Sequence, residues 1–79
     1  MTTPISRRST AIDIHIGERI RQLRLDRDMT QAQLGERLGV SFGQVRKYEY
    51  GIDRIGAARL FAVAKVFRVP VTHFFEGLR

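Results

Sequence analysis

Apolar residues recur at helical spacing along most of this 79-residue chain. Between Ala11 and Ile16 they alternate, Ile12, Ile14 and Ile16 against Asp13 and His15, which in isolation suggests a strand. Ile16, Ile20 and Leu23 then continue at i, i+4, i+7 with charges filling the gaps. The longer signal is therefore an amphipathic helix from about Asp13 to Arg27, with the alternation marking its first turn. Thr30-Gln31-Ala32-Gln33 has the form of a capping box, with Leu34 and Leu38 on the buried side of the helix it opens and Gly39 just past its end. Only Gly39 and Val40 separate that helix from Ser41-Phe42-Gly43-Gln44, which has the same capping form and opens a helix through about Tyr50, closed by Gly51. Two short helices across so brief a turn cross steeply, so residues from about 30 to 50 read as a helix-turn-helix.

Ile52 to Ile55 is a loop carrying Asp53 and Arg54, after which Leu60, Val63, Ala64 and Phe67 predict a helix from about Gly56 to Phe67. Pro70 ends it by pushing the preceding residue out of helical space, and Thr72 is placed to cap a last short helix through Phe75. The expectation is an all-α, compact five-helix domain over residues 13–79. It is preceded at residues 1–12, MTTPISRRSTAI, by a flexible basic arm.

Charge and composition narrow what such a domain can do. A formal +6 from 14 Lys and Arg against 8 Asp and Glu, with 12 of the cations Arg, favours a polyanionic partner, because each guanidinium can fork onto phosphate oxygens. The longest uncharged stretch is the eight residues Leu38 to Val45, against the ~18 or more that a spanning helix needs. Ser6-Arg7-Arg8 resembles the start of a twin-arginine export signal, but Asp13 and Glu18 interrupt the apolar stretch that should follow, so a cytoplasmic location is expected. Without cysteine there is no disulfide, zinc ribbon or thiol nucleophile. His15 and His73 lack partners at metal-ligand spacing, and neither paired carboxylates nor a phosphate-cradling glycine loop appears. No metal, cofactor or enzymatic activity is expected.

An ordered series of residues adds a family resemblance. Arg19-Ile20-Arg21 and Arg24, then Thr30-Gln31 and Leu34, Leu38-Gly39-Val40-Ser41, Lys47-Tyr48-Glu49 with Gly51, Val69-Pro70-Val71 and Phe74-Phe75 follow one another. Over about Ile16 to Gly77 the chain thereby resembles the Cro/C1-type, lambda-repressor-like helix-turn-helix domains (the XRE family) of bacterial and phage regulators. Gly35 replaces the usual Ala, Arg68 the Gly that commonly ends helix 4, and Arg54-Ile55-Gly56-Ala57 a frequent Pro-Ser helix start.

The resemblance implies that the third helix lies in a DNA major groove while the second crosses the backbone. At ~100° per residue, Val45 facing the core puts Tyr48 and Glu49 on the inner side and Gly43 and Lys47 most directly outward, flanked by Gln44, Arg46 and Tyr50. Gln44 is suited to adenine and Lys47 to guanine, although Gln44 can instead complete the Ser41 cap and Lys47 can touch phosphate alone. Phe42 meets either a thymine methyl or Leu38, and Gly43 suggests close approach of backbone to DNA or to a neighbouring helix. Gln31 matches a phosphate-binding position, and Arg54 is a further phosphate candidate. The contact set is thus Gln31, Ser41, Phe42, Gly43, Gln44, Arg46, Lys47, Tyr50 and Arg54, with Arg7 and Arg8 on the arm. Arg24 and Glu49 match a family ion pair that joins helix 1 to helix 3, and Tyr48 is assigned to the core.

One helix reads only a few base pairs among ~10⁶–10⁹ competing sites, so a homodimer on a palindromic operator is expected, its half-sites ~34–36 Å apart. Phe61, Phe74, Phe75 and Leu78 are the interface candidates, with core packing their alternative. The leading expectation is a small repressor acting by occupancy of double-stranded DNA. With nothing after Arg79 to sense a ligand, its control is expected from concentration, a partner or degradation, unless the chain is a fragment of a longer protein. The alternative is an antitoxin-type module that binds a toxin and its own promoter.

Overall fold

The computed structural model describes residues 10–78. Arg7, Arg8 and most of the expected basic arm lie outside the described residues. Four α-helices follow in order, α1 (Ala11–Asp26), α2 (Gln31–Leu38), α3 (Phe42–Glu49) and α4 (Ala57–Phe67), and then a single 3-10 turn, Val71–Phe75. No strand occurs among the described residues.

α1 begins before Asp13 because Thr10 caps it. The Thr10 hydroxyl accepts from the Asp13 backbone N–H at 3.2 Å, and the Asp13 carboxylate accepts from the Thr10 backbone N–H at 2.9 Å. Ala11 and Ile12 therefore belong to the helix, and the alternating Ile12 and Ile14 are exposed side chains of its first turn. At α2 both halves of the expected box form, Thr30 N–H to Gln33 Oε1 at 2.8 Å and Gln33 N–H to Thr30 Oγ1 at 3.0 Å. Gly39 then takes the left-handed conformation, φ +75°, which lets the chain turn within two residues into α3. At α3 only half of the box is made. Ser41 Oγ accepts from the Gln44 backbone N–H at 3.1 Å, but the Gln44 side chain turns elsewhere.

The fifth helix is not α-helical. Pro70 rather than Thr72 stands at its N-cap, no side chain caps it, and its five residues close as a 3-10 turn with His73 N–H on Pro70 O at 2.9 Å. Arg68, where a glycine ends helix 4 in the family, itself adopts the left-handed conformation at φ +57°.

The helices close over one apolar core. Ile16, Ile20 and Leu23 of α1 meet Leu34 of α2, Val45 of α3, and Leu60, Val63, Ala64 and Phe67 of α4. Phe74 is fully buried in this core, at 0 % exposure. It is thereby removed from the candidate dimer-interface residues, because a side chain without exposed surface has nothing to offer a second copy. The turn that carries it is tied to α1 by Arg19 Nε on His73 O at 3.2 Å and His15 Nε2 on Glu76 O at 2.7 Å, so both histidines hold the fold together.

Close backbone approach explains two glycines, one against a neighbouring helix and one against the turn that follows its own. At Gly17 of α1 a Cβ would collide with the Tyr48 carbonyl oxygen and lie 2.6 Å from that of Glu49. At Gly35 of α2 it would lie 2.6 Å from the Val40 carbonyl oxygen. The crossing of α1 with the end of α3 is thus possible only with hydrogen at position 17. We predict that Gly17→Ala, despite the better helix propensity of Ala, destabilises the domain by about 1–3 kcal/mol in urea unfolding. Unchanged or raised stability would mean that the two helices can separate at no cost.

Candidate nucleic-acid interface

α3 has two unlike sides. Val45 and Glu49 are buried, Tyr48 half-buried, and Arg46 and Lys47 exposed on the other side. Phe42, 63 % exposed, stands at the leading end of the helix, and Tyr50 just past its other end lies under the Arg46 guanidinium, 5.8 Å from the ring centroid. Arg46 and Lys47 make no ion pair among the described residues.

The buried side holds a charge pair. Arg24 of α1 binds Glu49 of α3 through Nε to Oε2 at 2.6 Å and Nη2 to Oε1 at 3.0 Å. Its remaining Nη1 donates to the Met29 carbonyl at 2.7 Å, closing the turn between α1 and α2. Glu49 Oε1 also accepts from Gln31 Nε2 at 3.1 Å. Neither charge is left bare, and no buried side-chain nitrogen or oxygen lacks a partner among the described residues. One buried carboxylate therefore sets the end of α3, the start of α2 and the last turn of α1 relative to each other.

Two exposed-side residues are held from the loop and from α1. Gln44 Nε2 donates to Asp53 Oδ2 at 3.0 Å, which is where the side chain goes instead of back to the Ser41 cap. Arg54 Nε donates to Asp13 Oδ2 at 3.3 Å, with the Asp13 side chain 9 % exposed and that of Arg54 47 %. For Asp13, burial alone raises the carboxyl pKa, but the Thr10 N–H and hydroxyl and the Arg54 guanidinium together outweigh it and hold the group below its ordinary 3.8.

Gly43 meets no neighbouring helix among the described residues. A Cβ there would find only Ser41 Oγ, at 3.8 Å, which is ordinary contact. Of the two reasons for a glycine at this position, close approach to another helix of the chain is ruled out.

A helix-turn-helix family model matches residues 20–74. The chain belongs to the Cro/C1-type helix-turn-helix family. The HTH-type transcriptional regulator y4wC of Sinorhizobium fredii is 49 % identical over 70 residues, covering 89 % of this chain and 49 % of the relative. The chain spans about half the length of the curated relatives it matches. Among solved structures, the P22 c2 repressor in complex with a synthetic operator is 29 % identical with a TM-score of 0.72, over 78 % of this chain and 94 % of that one. The restriction-modification controller protein C.AhdI of Aeromonas hydrophila has a TM-score of 0.78 at 21 % identity, over 84 % of this chain and 100 % of that one, a likeness of fold.

In this helix-turn-helix domain Ser41, Phe42, Gly43, Gln44, Arg46, Lys47 and Tyr50 are gathered on α3 and its two ends, and Gln31 begins the helix packed across it. Arg54 stands in the loop beyond α3. Of the apolar interface candidates, Phe61 is 56 % and Phe75 42 % exposed, Leu78 is half-buried, and Lys65 lies over the Phe61 ring at 5.8 Å. Among the described residues no group of three acidic, histidine or cysteine side chains is placed to hold a metal, and no helix is long and apolar enough to cross a membrane. Asp13 and Asp53, the anions that hold Arg54 and Gln44, are not among the residues marked by the helix-turn-helix pattern. The Thr10-Ala11-Ile12-Asp13 capping spacing was legible and would have flagged Asp13. No spacing rule joins Gln44 to Asp53.

Two measurements follow from this geometry. Glu49→Gln leaves the Arg24 charge buried without its counter-ion, so unfolding free energy should fall by roughly 3–5 kcal/mol, as read from urea titration. A loss within ±0.5 kcal/mol, the range of an ordinary surface change, would contradict the buried-pair account. Because the Asp13 pKa is depressed on folding, its contribution is complete above the unfolded value and is lost as pH falls from about 5 through the folded one. Asp13→Asn should lower stability at neutral pH and flatten its acid-side decline, and parallel pH profiles of the two proteins would count against this.

Proposed function

We propose that this domain is the DNA-binding part of a cytoplasmic transcriptional regulator, a repressor that reads a palindromic operator as a homodimer. One observation carries the reading. α3 presents exposed Arg46 and Lys47, which form no ion pair among the described residues, on one side while its other side is locked into the core by Val45 and Glu49, the arrangement a recognition helix needs to enter a major groove in a fixed pose. The likeness to the P22 c2 repressor, which was solved on a synthetic operator, supports the same reading. Gln31, with one amide hydrogen engaged by Glu49, keeps its other for a phosphate at the start of α2, and Arg54 keeps its Nη groups for a second phosphate. Lys47 is the direct reader of guanine, with Phe42 placed for a thymine methyl at the leading end. Phe61 and Phe75 supply the exposed apolar surface for a two-fold contact, which presents two copies of α3 to successive major grooves.

Selection from random duplexes at near-physiological salt tests this reading. Enrichment of a palindrome with half-site centres about 10–10.5 base pairs apart is expected. Binding that depends on salt alone, without an enriched sequence, would contradict it.

Gly43 gives a sharper outcome. Since no neighbour among the described residues excludes a Cβ, Gly43→Ala should stabilise the free domain by up to about 1 kcal/mol through helix propensity, less than at a helix interior because position 43 is in the first turn. It should nevertheless weaken binding to the selected duplex, because the added methyl stands on the outward side of α3. Tighter binding, or binding unchanged, would remove Gly43 from the contact surface.

A further inference from the structure

The loop after α3 carries an anion where an anion is costly for a DNA-binding surface. Asp53 is half-buried, and its carboxylate is hydrogen-bonded to the amide of Gln44 at 3.0 Å. Its place is fixed by the helix it faces. The backbone N–H groups of Ile52 and Asp53 both donate to the carbonyl of Lys47, at 2.9 and 3.3 Å, folding the loop back over the last turn of α3. Gln44 is fixed from its own side, since its backbone N–H is held by Ser41 Oγ. The side-chain amide thus spans two anchored points of one rigid unit.

The geometry points to Asp53 as a specificity-determining positioning residue, which acts through Gln44 and fixes which way round that amide faces a base pair. A glutamine amide is nearly symmetric in shape and can present its oxygen and its nitrogen in either order. A carboxylate has only acceptor atoms, so it can hold the nitrogen end of Gln44 and never the oxygen end. One Nε2 hydrogen is consumed by Asp53. The second Nε2 hydrogen and Oε1 remain, one donor and one acceptor in a set order. That pair matches N7 and N6 of adenine and no other base in the major groove. Without Asp53 the amide can turn over and offer single hydrogen bonds to other bases, so discrimination drops while contact persists.

The charge of Asp53 makes this role separable from a structural one. Its contribution to the loop is through its backbone N–H, which any non-proline residue retains. Its carboxylate repels phosphates, so removing it strengthens binding to unrelated duplexes, whereas a disordered reading helix would weaken binding to every sequence.

This inference rests on the DNA-reading proposed above, and one set of selections separates the two. The full chain, Asp53→Ala, Gln44→Ala and the double variant are each put through selection from random duplexes at one salt concentration, with thermal unfolding followed in parallel. The parent protein is expected to prefer adenine at one position of each half-site by about 5- to 150-fold, and Gln44→Ala to erase that preference. Asp53→Ala is expected to reduce it to less than about a third of the parental ratio, leave the other positions as they were, and bind a scrambled duplex at least as tightly. In the Gln44→Ala background the Asp53 substitution should change no base preference. An adenine preference undiminished in Asp53→Ala overturns the inference, as does a loss spread over all positions or a Gln44→Ala variant that erases none. A parent protein that enriches no sequence overturns the DNA-reading itself, and the inference with it.

Discussion

The buried ion pair between Arg24 and Glu49 is the constraint on which the rest of this domain depends. Placing two charges in the core of a chain this small is costly unless every donor and acceptor is satisfied. Here the guanidinium forks onto both carboxylate oxygens and spends its last nitrogen on the Met29 carbonyl, while the carboxylate also holds Gln31. An apolar pair of the same volume would fill the space equally well, but it would not fix the rotation of α3 about its axis. The hydrogen bonds do, because their directions are tolerated only over a narrow range. Gly17 completes the arrangement by letting α1 touch the backbone of α3 at Tyr48 and Glu49, so the same pair of helices carries both this close backbone approach and the buried ion pair.

Much of the positive charge in this chain is structural. Arg19 holds the 3-10 turn, Arg24 the buried carboxylate, Arg27 the Phe67 carbonyl at the end of α4, and Arg59 the Leu38 carbonyl at the end of α2. The last two place a cation against a helix C-terminus, where the partial negative charge of unsatisfied carbonyls is concentrated. A net charge of +6 thus overstates the surface available to a polyanion, and Arg46 and Lys47 matter because they are not spent in this way. The anions are distributed to match. Asp13 and Asp53 each hold one exposed-side residue, Arg54 and Gln44, in a defined place before any partner arrives.

What was legible in the sequence is what local physics controls. The spacing of Ile16, Ile20 and Leu23, the Thr30–Gln33 box, the glycine at 39 and the stop at Pro70 all act within a few residues, and the helices they define stand where the pattern puts them. The structure departs from the pattern where a local rule has a distant competitor. Gln44 fits a capping box with Ser41, yet its amide goes to Asp53, nine residues away. Phe74 looks like surplus apolar surface until α1 and α4 close over it. The helix expected after Thr72 lacks the length for α-helical bonding and settles as a 3-10 turn. The inward and outward sides of α3 were readable from rotation about Val45 alone, whereas the contacts that steer Gln31, Gln44 and Arg54 needed the fold.

The central claim is that the outward side of α3, with the start of α2 and the loop at Arg54, forms one surface for duplex DNA. Backbone amide chemical shifts, mapped on the isotope-labelled domain during titration with a duplex, test it most directly. The account predicts large changes at residues 41–47 together with Gln31 and Arg54, and small ones along the buried side of α1 and on the 3-10 turn. Changes concentrated instead on α4 or at the outer side of α1, with α3 unmoved, would contradict it.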